Sequence, residues 1–118
     1  MRIFVAALAL GLLSGCASST SATTPDNAAR ATAVAKLTGV AANGSIVYSQ
    51  TGKCLSCHGA DGKGQKEVDL AEPAKNDEVS ALAAYVLNGI APKMPSASFL
   101  TDQQIADVVA YLKATYGK

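Results

Sequence analysis

Apolar and polar positions divide this chain into an unbroken apolar run, a polar stretch without large side chains, and three segments of helical periodicity. The run spans Ile3 to Leu13 behind a single basic residue, Arg2. With no polar residue to give it an outer face, it does not read as a core helix. It also falls short of the roughly 20 apolar residues that a bilayer-spanning helix needs. A short apolar core behind a positive charge and ahead of small residues is the layout of a secretory signal peptide, here residues 1–15. Next comes "ASSTSATTPDNAAR", rich in Ser, Thr and Ala and devoid of aromatic or large aliphatic residues. Such a segment buries too little apolar surface to offset its ordering entropy. Residues 16–39 therefore read as a flexible tether, with Ala-rich 31–42 partly helical, and 40–118 as the folded domain.

Within that domain the spacing predicts three helices. In the first, over 40–51, Val40, Gly44, Val47 and Tyr48 share one face, and Gly52 stands where a left-handed C-terminal cap would stop it. The second covers 77–88, with Asn76 as N-cap and Asp77 and Glu78 in the first turn, where the helix dipole favours carboxylates. Val79, Leu82, Ala83 and Val86 form its apolar stripe, and Asn88-Gly89 ends it. The third covers 102–116: Thr101 and Gln104 have the spacing of a capping box, and Ile105, Val108, Val109 and Leu112 make a continuous stripe. No stretch alternates long enough for a strand. The fold class is all-α.

Composition exposes a shortage. Of 118 residues 49% are hydrophobic, but much of that lies in the leader, and the domain has no Trp and a single Phe, Phe99. A domain of this size buries only about 60% of its unfolded surface and is marginal unless a disulfide, metal or cofactor supplements the core. Net charge is +1 for the whole chain. From Val40 onward seven lysines face eight carboxylates, a formal charge of −1. No basic field exists to argue for nucleic acid.

The chemistry concentrates in "CLSCHGADGKG", where the only histidine follows a C-x-x-C pair. A structural zinc site needs four ligands, and Cys54, Cys57 and His58 supply three at most with no second pair elsewhere. A thioredoxin-like motif belongs to a βαβ context that this sequence lacks. Covalent haem attachment fits the residue types: two thiols at a short fixed spacing bond the two vinyl groups, and the adjacent histidine is held beneath the iron. Cys54 and Cys57 are then the thioether positions, and His58 the proximal ligand. With Met1 lost in the leader, Met94 is the remaining methionine, set in "APKMPS" between Pro92 and Pro95. Neither proline offers an N–H, and Pro95 biases Met94 toward extended backbone. That segment is suited to presenting one side chain at a fixed point, and Met94 reads as the second axial ligand. A bis-histidine haem within the chain is excluded by the histidine count.

Leu13-Ser14-Gly15-Cys16 resembles the lipobox of bacterial lipoproteins, which implies lipidation of Cys16 as the mature N-terminus. Ala17, rather than Asp, follows it, which in enteric-type sorting implies the outer membrane. Residues 43–116 resemble the class I bacterial cytochromes c of the small monohaem type, through "GSIVY", "CLSCHGADGKG", "NGIAPKMPS" and "LTDQQIADVVAYLKATYG". The resemblance implies a small fold of about three main helices around one covalent haem c. It also implies a near-perpendicular crossing of the first and last helices at Gly44, Tyr48 and Tyr111, and a proline carbonyl, here that of Pro73, orienting the His58 Nδ1–H. Two departures stand out. Pro73 lacks the usual preceding glycine, and the spacer "SQTGK" is longer than usual by about one or two residues, which predicts that the first helix ends early at Gly52.

These expectations converge on an exported one-electron carrier rather than an enzyme, since ligation by His58 and Met94 leaves the iron no open position. Lys53, Lys63 and Lys66 flank the motif and offer either a docking patch or a solvated loop. The resemblance implies redox partners such as a terminal oxidase, a quinol-oxidising complex, or a periplasmic reductase or dehydrogenase. Two other readings stay open: a haem-based sensor or ligand-binding module, and a haem subunit docked within a larger oxidoreductase.

Overall fold

The C-terminal helix, α6 (Asp102–Tyr116), is the axis on which the rest of the molecule is assembled. Thr101 accepts from the Gln104 backbone and Gln104 returns a bond to the Thr101 N–H, so the expected capping box is formed. Ile105, Val108, Val109 and Leu112 are buried as the stripe predicts. The computed structural model describes residues 26–64, 69–90 and 93–118. The signal peptide, Cys16, Lys66 and Pro92 lie outside the described residues. Among those described, six α-helices and no strand are found, an all-α fold.

Helix α2 (Ala41–Ile46) crosses α6 where Gly44 meets Asp107. A Cβ at Gly44 would overlap the Asp107 carbonyl and the Tyr111 Cβ, so the crossing depends on a residue with no side chain. That accounts for a glycine that costs a helix about 1 kcal/mol relative to Ala. Tyr48 packs on Tyr111 at the same junction, with ring centroids 5.2 Å apart. The buried Asp107 carboxylate accepts from the Val40 N–H at 2.8 Å and from Gln103 Nε2 at 2.9 Å, seating the start of α2 on α6.

The long spacer has a definite structural outcome. The first helical run does stop at Gly52 as expected, but its last turn, Val47–Thr51, is π-helical and is closed by Gly52 N–H donating to the Val47 carbonyl at 2.7 Å, not by a left-handed cap. A π turn takes one more residue per hydrogen-bonded ring than an α turn, so it absorbs surplus sequence without displacing the next element of the chain. Gly52 itself is right-handed, with φ −89°, and the positive φ falls on Lys53 instead, at +56°.

Three further corrections concern element placement. Helix α1 (Asn27–Ala35) lies in what the sequence reads as tether, and it packs on α5 and α6 with Ala31 and Val34 buried. The folded unit therefore reaches back past Val40 at least to Asp26, whose side chain caps α1 by accepting from the Ala28 N–H. A short helix α4 (Ala71–Asn76) follows the one-turn α3 (Leu55–His58), so Asn76 closes α4 and does not cap the next helix. Helix α5 spans Val79–Asn88, with Glu78 at its N-cap and no side-chain capping bond. Lys113 Nζ donates to the Ala74 and Asp77 carbonyls at 3.2 and 2.7 Å, which fastens the end of α4 to α6.

Candidate functional site

From Cys54 to His58 the backbone makes a single helical turn, with His58 N–H donating to the Cys54 carbonyl at 2.9 Å and Cys57 N–H to the same oxygen at 3.1 Å. Residues three apart on such a turn lie on one side of it. Both thiols are free, Cys54 part-buried and Cys57 exposed. Burial pushes the Cys54 thiol up from its ordinary value, and neighbouring Cys57 adds to this. Burial likewise lowers the His58 imidazole, which favours the neutral form that a metal ligand must have. The His58 Nδ1 is buried and has no hydrogen-bond partner.

The chain leaves His58 through a loop that turns back at once. Gly64 N–H donates to the His58 carbonyl at 2.7 Å, and the Gly64 backbone passes so close to Cys57 and His58 that a Cβ there would overlap the Cys57 carbonyl. Two tyrosines hold this loop from outside. Tyr48 donates its hydroxyl to the Gly59 carbonyl at 2.7 Å, and Tyr116 donates to the Ala60 carbonyl at 2.8 Å. Their rings meet each other and Tyr111, forming a three-tyrosine cluster with centroids 5.2 to 6.1 Å apart. Burial raises the Tyr48 phenol well above its ordinary value and raises Tyr116 as well, so both remain protonated donors. Tyr116 is not singled out by periodicity; its only sequence signal is an aromatic four to five residues beyond the apolar stripe.

Met94 sits on a separate excursion of the chain. Gly89 caps α5 at φ +70°, a region open to glycine at little cost. Ile90 and Met94 then exchange two backbone hydrogen bonds, both 2.8 Å. Gly89 lies beneath this return, where a Cβ would come within 2.5 Å of the Met94 carbonyl oxygen. Beyond Pro95, Ala97 N–H donates to the Val86 carbonyl at 2.8 Å and Ser96 Oγ to the Leu87 carbonyl. The Met94 backbone is thus pinned to the end of α5 by bonds that the flanking prolines do not announce.

Two apolar hollows, of about 470 and 630 Å³, share Cys54, His58, Val86 and Met94 in their walls. Tyr48, Leu82, Val108 and Leu112 complete the first and Cys57 and Phe99 border the second. The structure therefore brings Cys54, Cys57, His58 and Met94 together around one apolar space. Pro73 lines it too, but its carbonyl accepts from the Asp77 N–H at 2.9 Å, and the expected bond to His58 Nδ1 is not formed. Pro73 lies in the first turn of α4, so its carbonyl belongs to that helix's own ladder.

These residues fit a large planar iron-bearing group held by two thioethers. The walls are apolar, and one soft sulfur and one imidazole reach the same space. Among the described residues no cluster of three or more His, Cys, Asp or Glu side chains could hold a bare metal ion. Comparison with known protein families matches residues 39–112 to the family described as cytochrome c oxidase, cbb3-type, subunit III. No curated protein and no solved structure matches the chain.

Proposed function

The chain belongs to the cbb3-type cytochrome c oxidase subunit III family, a cytochrome c family, and on that premise we propose that it is an exported one-electron carrier with a single haem c ligated by His58 and Met94. Membership implies covalently bound haem c and a role in haem-based electron transfer. The observation that carries the finer reading is the convergence of His58, Met94 and both thiols on one apolar space.

When bound, the haem supplies reversible one-electron exchange at its iron. Cys54 and Cys57 would hold it covalently, and His58 and Met94 would ligate the iron. A thioether sulfur favours the ferrous state and raises the potential relative to a second imidazole. The walls from Val86, Leu82, Val108 and Leu112 act in the same direction by keeping water from the ferric charge. With His58 and Met94 both ligating the iron, substrate binding at the metal would be disfavoured.

Export rests on the leader of residues 1–15, and anchoring on a lipid at Cys16 with the outer membrane as destination. Redox partners belong to a respiratory chain: a terminal oxidase, a quinol-oxidising complex, or a periplasmic reductase or dehydrogenase. The family description favours one second reading, a haem subunit docked within an oxidase. Mass spectrometry of the mature protein tests attachment and anchor together. One haem mass that survives denaturation and a diacylated Cys16 are the expected results; a second haem or an unmodified N-terminus beyond Cys16 would refute the corresponding part. Co-purification with other respiratory subunits would favour the docked reading. A ferric Fe–S charge-transfer band that vanishes in Met94→Ala tests the ligand assignment. Its absence from the native protein, with rapid carbon monoxide binding to the reduced form, would favour the ligand-binding module.

A further inference from the structure

Helix α1 precedes the segment matched to the family, yet it touches both ends of the excursion that carries Met94. At the near end, Asn27 Nδ2 donates to Asn88 Oδ1 at 2.8 Å, immediately before Gly89 turns the chain out of α5. At the far end a single guanidinium reads the return path. Arg30 Nη1 donates to the Ser98 carbonyl at 3.0 Å, Nη2 to the Leu100 carbonyl at 2.7 Å, and Nε to Asp102 Oδ1 at 2.8 Å. The Arg30 side chain is only 17% exposed, so these charge-assisted bonds are partly shielded from water. Beneath them Ala31 and Val34 anchor α1 in the core.

From the other side, the bonds from Ala97 and Ser96 to α5 hold the part of the loop nearest Met94, and Leu100 is buried. Residues 89–101 therefore have two sets of fasteners, one supplied by α5 and one by α1. We propose that α1 is a clasp for the Met94 loop, with Arg30 and Asn27 as positioning residues that set how firmly Met94 is retained on the iron. This rests on the reading of Met94 as an axial ligand. Releasing α1 frees the loop at Ser98 and Leu100 while leaving the attachment turn untouched, because α1 packs on α5 and α6. A lysine at position 30 would be a point charge unable to serve three acceptors in a fork, so it should restore the clasp only in part.

The test uses the full-length haem-loaded protein and three variants: Arg30→Ala, Arg30→Lys and Asn27→Ala. The probes are carbon monoxide binding to the reduced form and the ferric Fe–S charge-transfer band, with melting followed in parallel. Lys113→Ala, which unfastens α4 from α6 away from Met94, serves as the control for general destabilisation. The expected result is that Arg30→Ala binds carbon monoxide at least about tenfold faster, equivalent to about 1.4 kcal/mol. Arg30→Lys and Asn27→Ala should be intermediate, and Lys113→Ala should melt earlier with an unchanged binding rate. If Arg30→Ala fails to fold, the other two variants carry the same comparison. Unchanged binding and an unchanged band in the Arg30 and Asn27 variants would overturn the clasp, as would an equal acceleration in Lys113→Ala. A native protein without the charge-transfer band, whose spectrum Met94→Ala does not alter, would overturn the ligand reading itself and the clasp with it; the clasp alone fails when the native band is present.

Discussion

Tyr48 donates its hydroxyl to the Gly59 carbonyl at 2.7 Å, joining the helix crossing directly to the residue after His58. Tyr116 makes the parallel bond to Ala60 at 2.8 Å, so two phenols suspend the turn beneath the imidazole. Loss of one partner from a shielded hydrogen bond costs about 1–3 kcal/mol when the other is left unsatisfied. Tyr48→Phe and Tyr116→Phe should therefore each lower unfolding stability by roughly 1–2 kcal/mol, the former more because Tyr48 is buried. Their rings touch, so the double variant should depart from additivity in denaturant titrations. Strict additivity would show that the two bonds act on independent parts of the loop.

Gly89 combines a positive φ with a carbonyl directly over its Cα. Gly89→Ala would force the Met94 backbone away or abandon the positive-φ conformation, each costing on the order of 1–3 kcal/mol. The expected outcome is weaker methionine ligation together with lower stability, read as a diminished ferric charge-transfer band and faster carbon monoxide binding. A variant that melts earlier but keeps the full band would separate the turn from the ligand.

At the helix crossing the expectation differs. Gly44→Ala places a methyl against the Asp107 carbonyl and Tyr111, at a point where backbone cannot yield. Overpacking of this kind costs typically about 1–3 kcal/mol. The gain in helix propensity, about 1 kcal/mol, is too small to cancel it. Thermal melting should fall, while the visible spectrum stays native because Gly44 does not line the apolar space. A stabilised variant would mean that α2 can slide on α6.

Removing the covalent group tests how much of the core it supplies. The smaller hollow alone, about 470 Å³, would cost up to about 11 kcal/mol if it stayed dry and unfilled at roughly 24 cal/mol per Å³, an upper limit because it opens to solvent. Total stability for a domain is about 5–15 kcal/mol. Cys54→Ser/Cys57→Ser should therefore abolish cooperative thermal unfolding, followed by circular dichroism. A sharp transition near the native temperature would show that the helices close on themselves without it.

The sequence made α6 legible because every local rule agrees there: cap, stripe and length. The crossing of Gly44, Tyr48 and Tyr111 was expected from the resemblance to the class I cytochromes c, while Cys54, Cys57, His58 and Met94 were singled out because each is a residue type with few other uses in its setting. Helix α1 was legible only as partly helical character in Ala-rich 31–42 and not as part of the folded unit, because its buried face is only Ala31 and Val34 in a Ser/Thr/Ala-rich neighbourhood. What holds it in place is Arg30, whose acceptors are backbone carbonyls some seventy residues away in sequence. The π turn was visible only as surplus length in "SQTGK". Pro73 misled for a simple reason: a proline in the first turn of a helix is well tolerated, and its carbonyl then serves that helix rather than a neighbouring imidazole.

Tyr116 lies four residues past the matched segment, and its ring edge rests where a Cβ at Gly62 would come within 2.9 Å of it. The turn below His58 is thus closed by a side chain from the last turn of α6. The compliance of the proximal side is therefore adjustable from the last turn of α6, through a residue that does not itself do the binding.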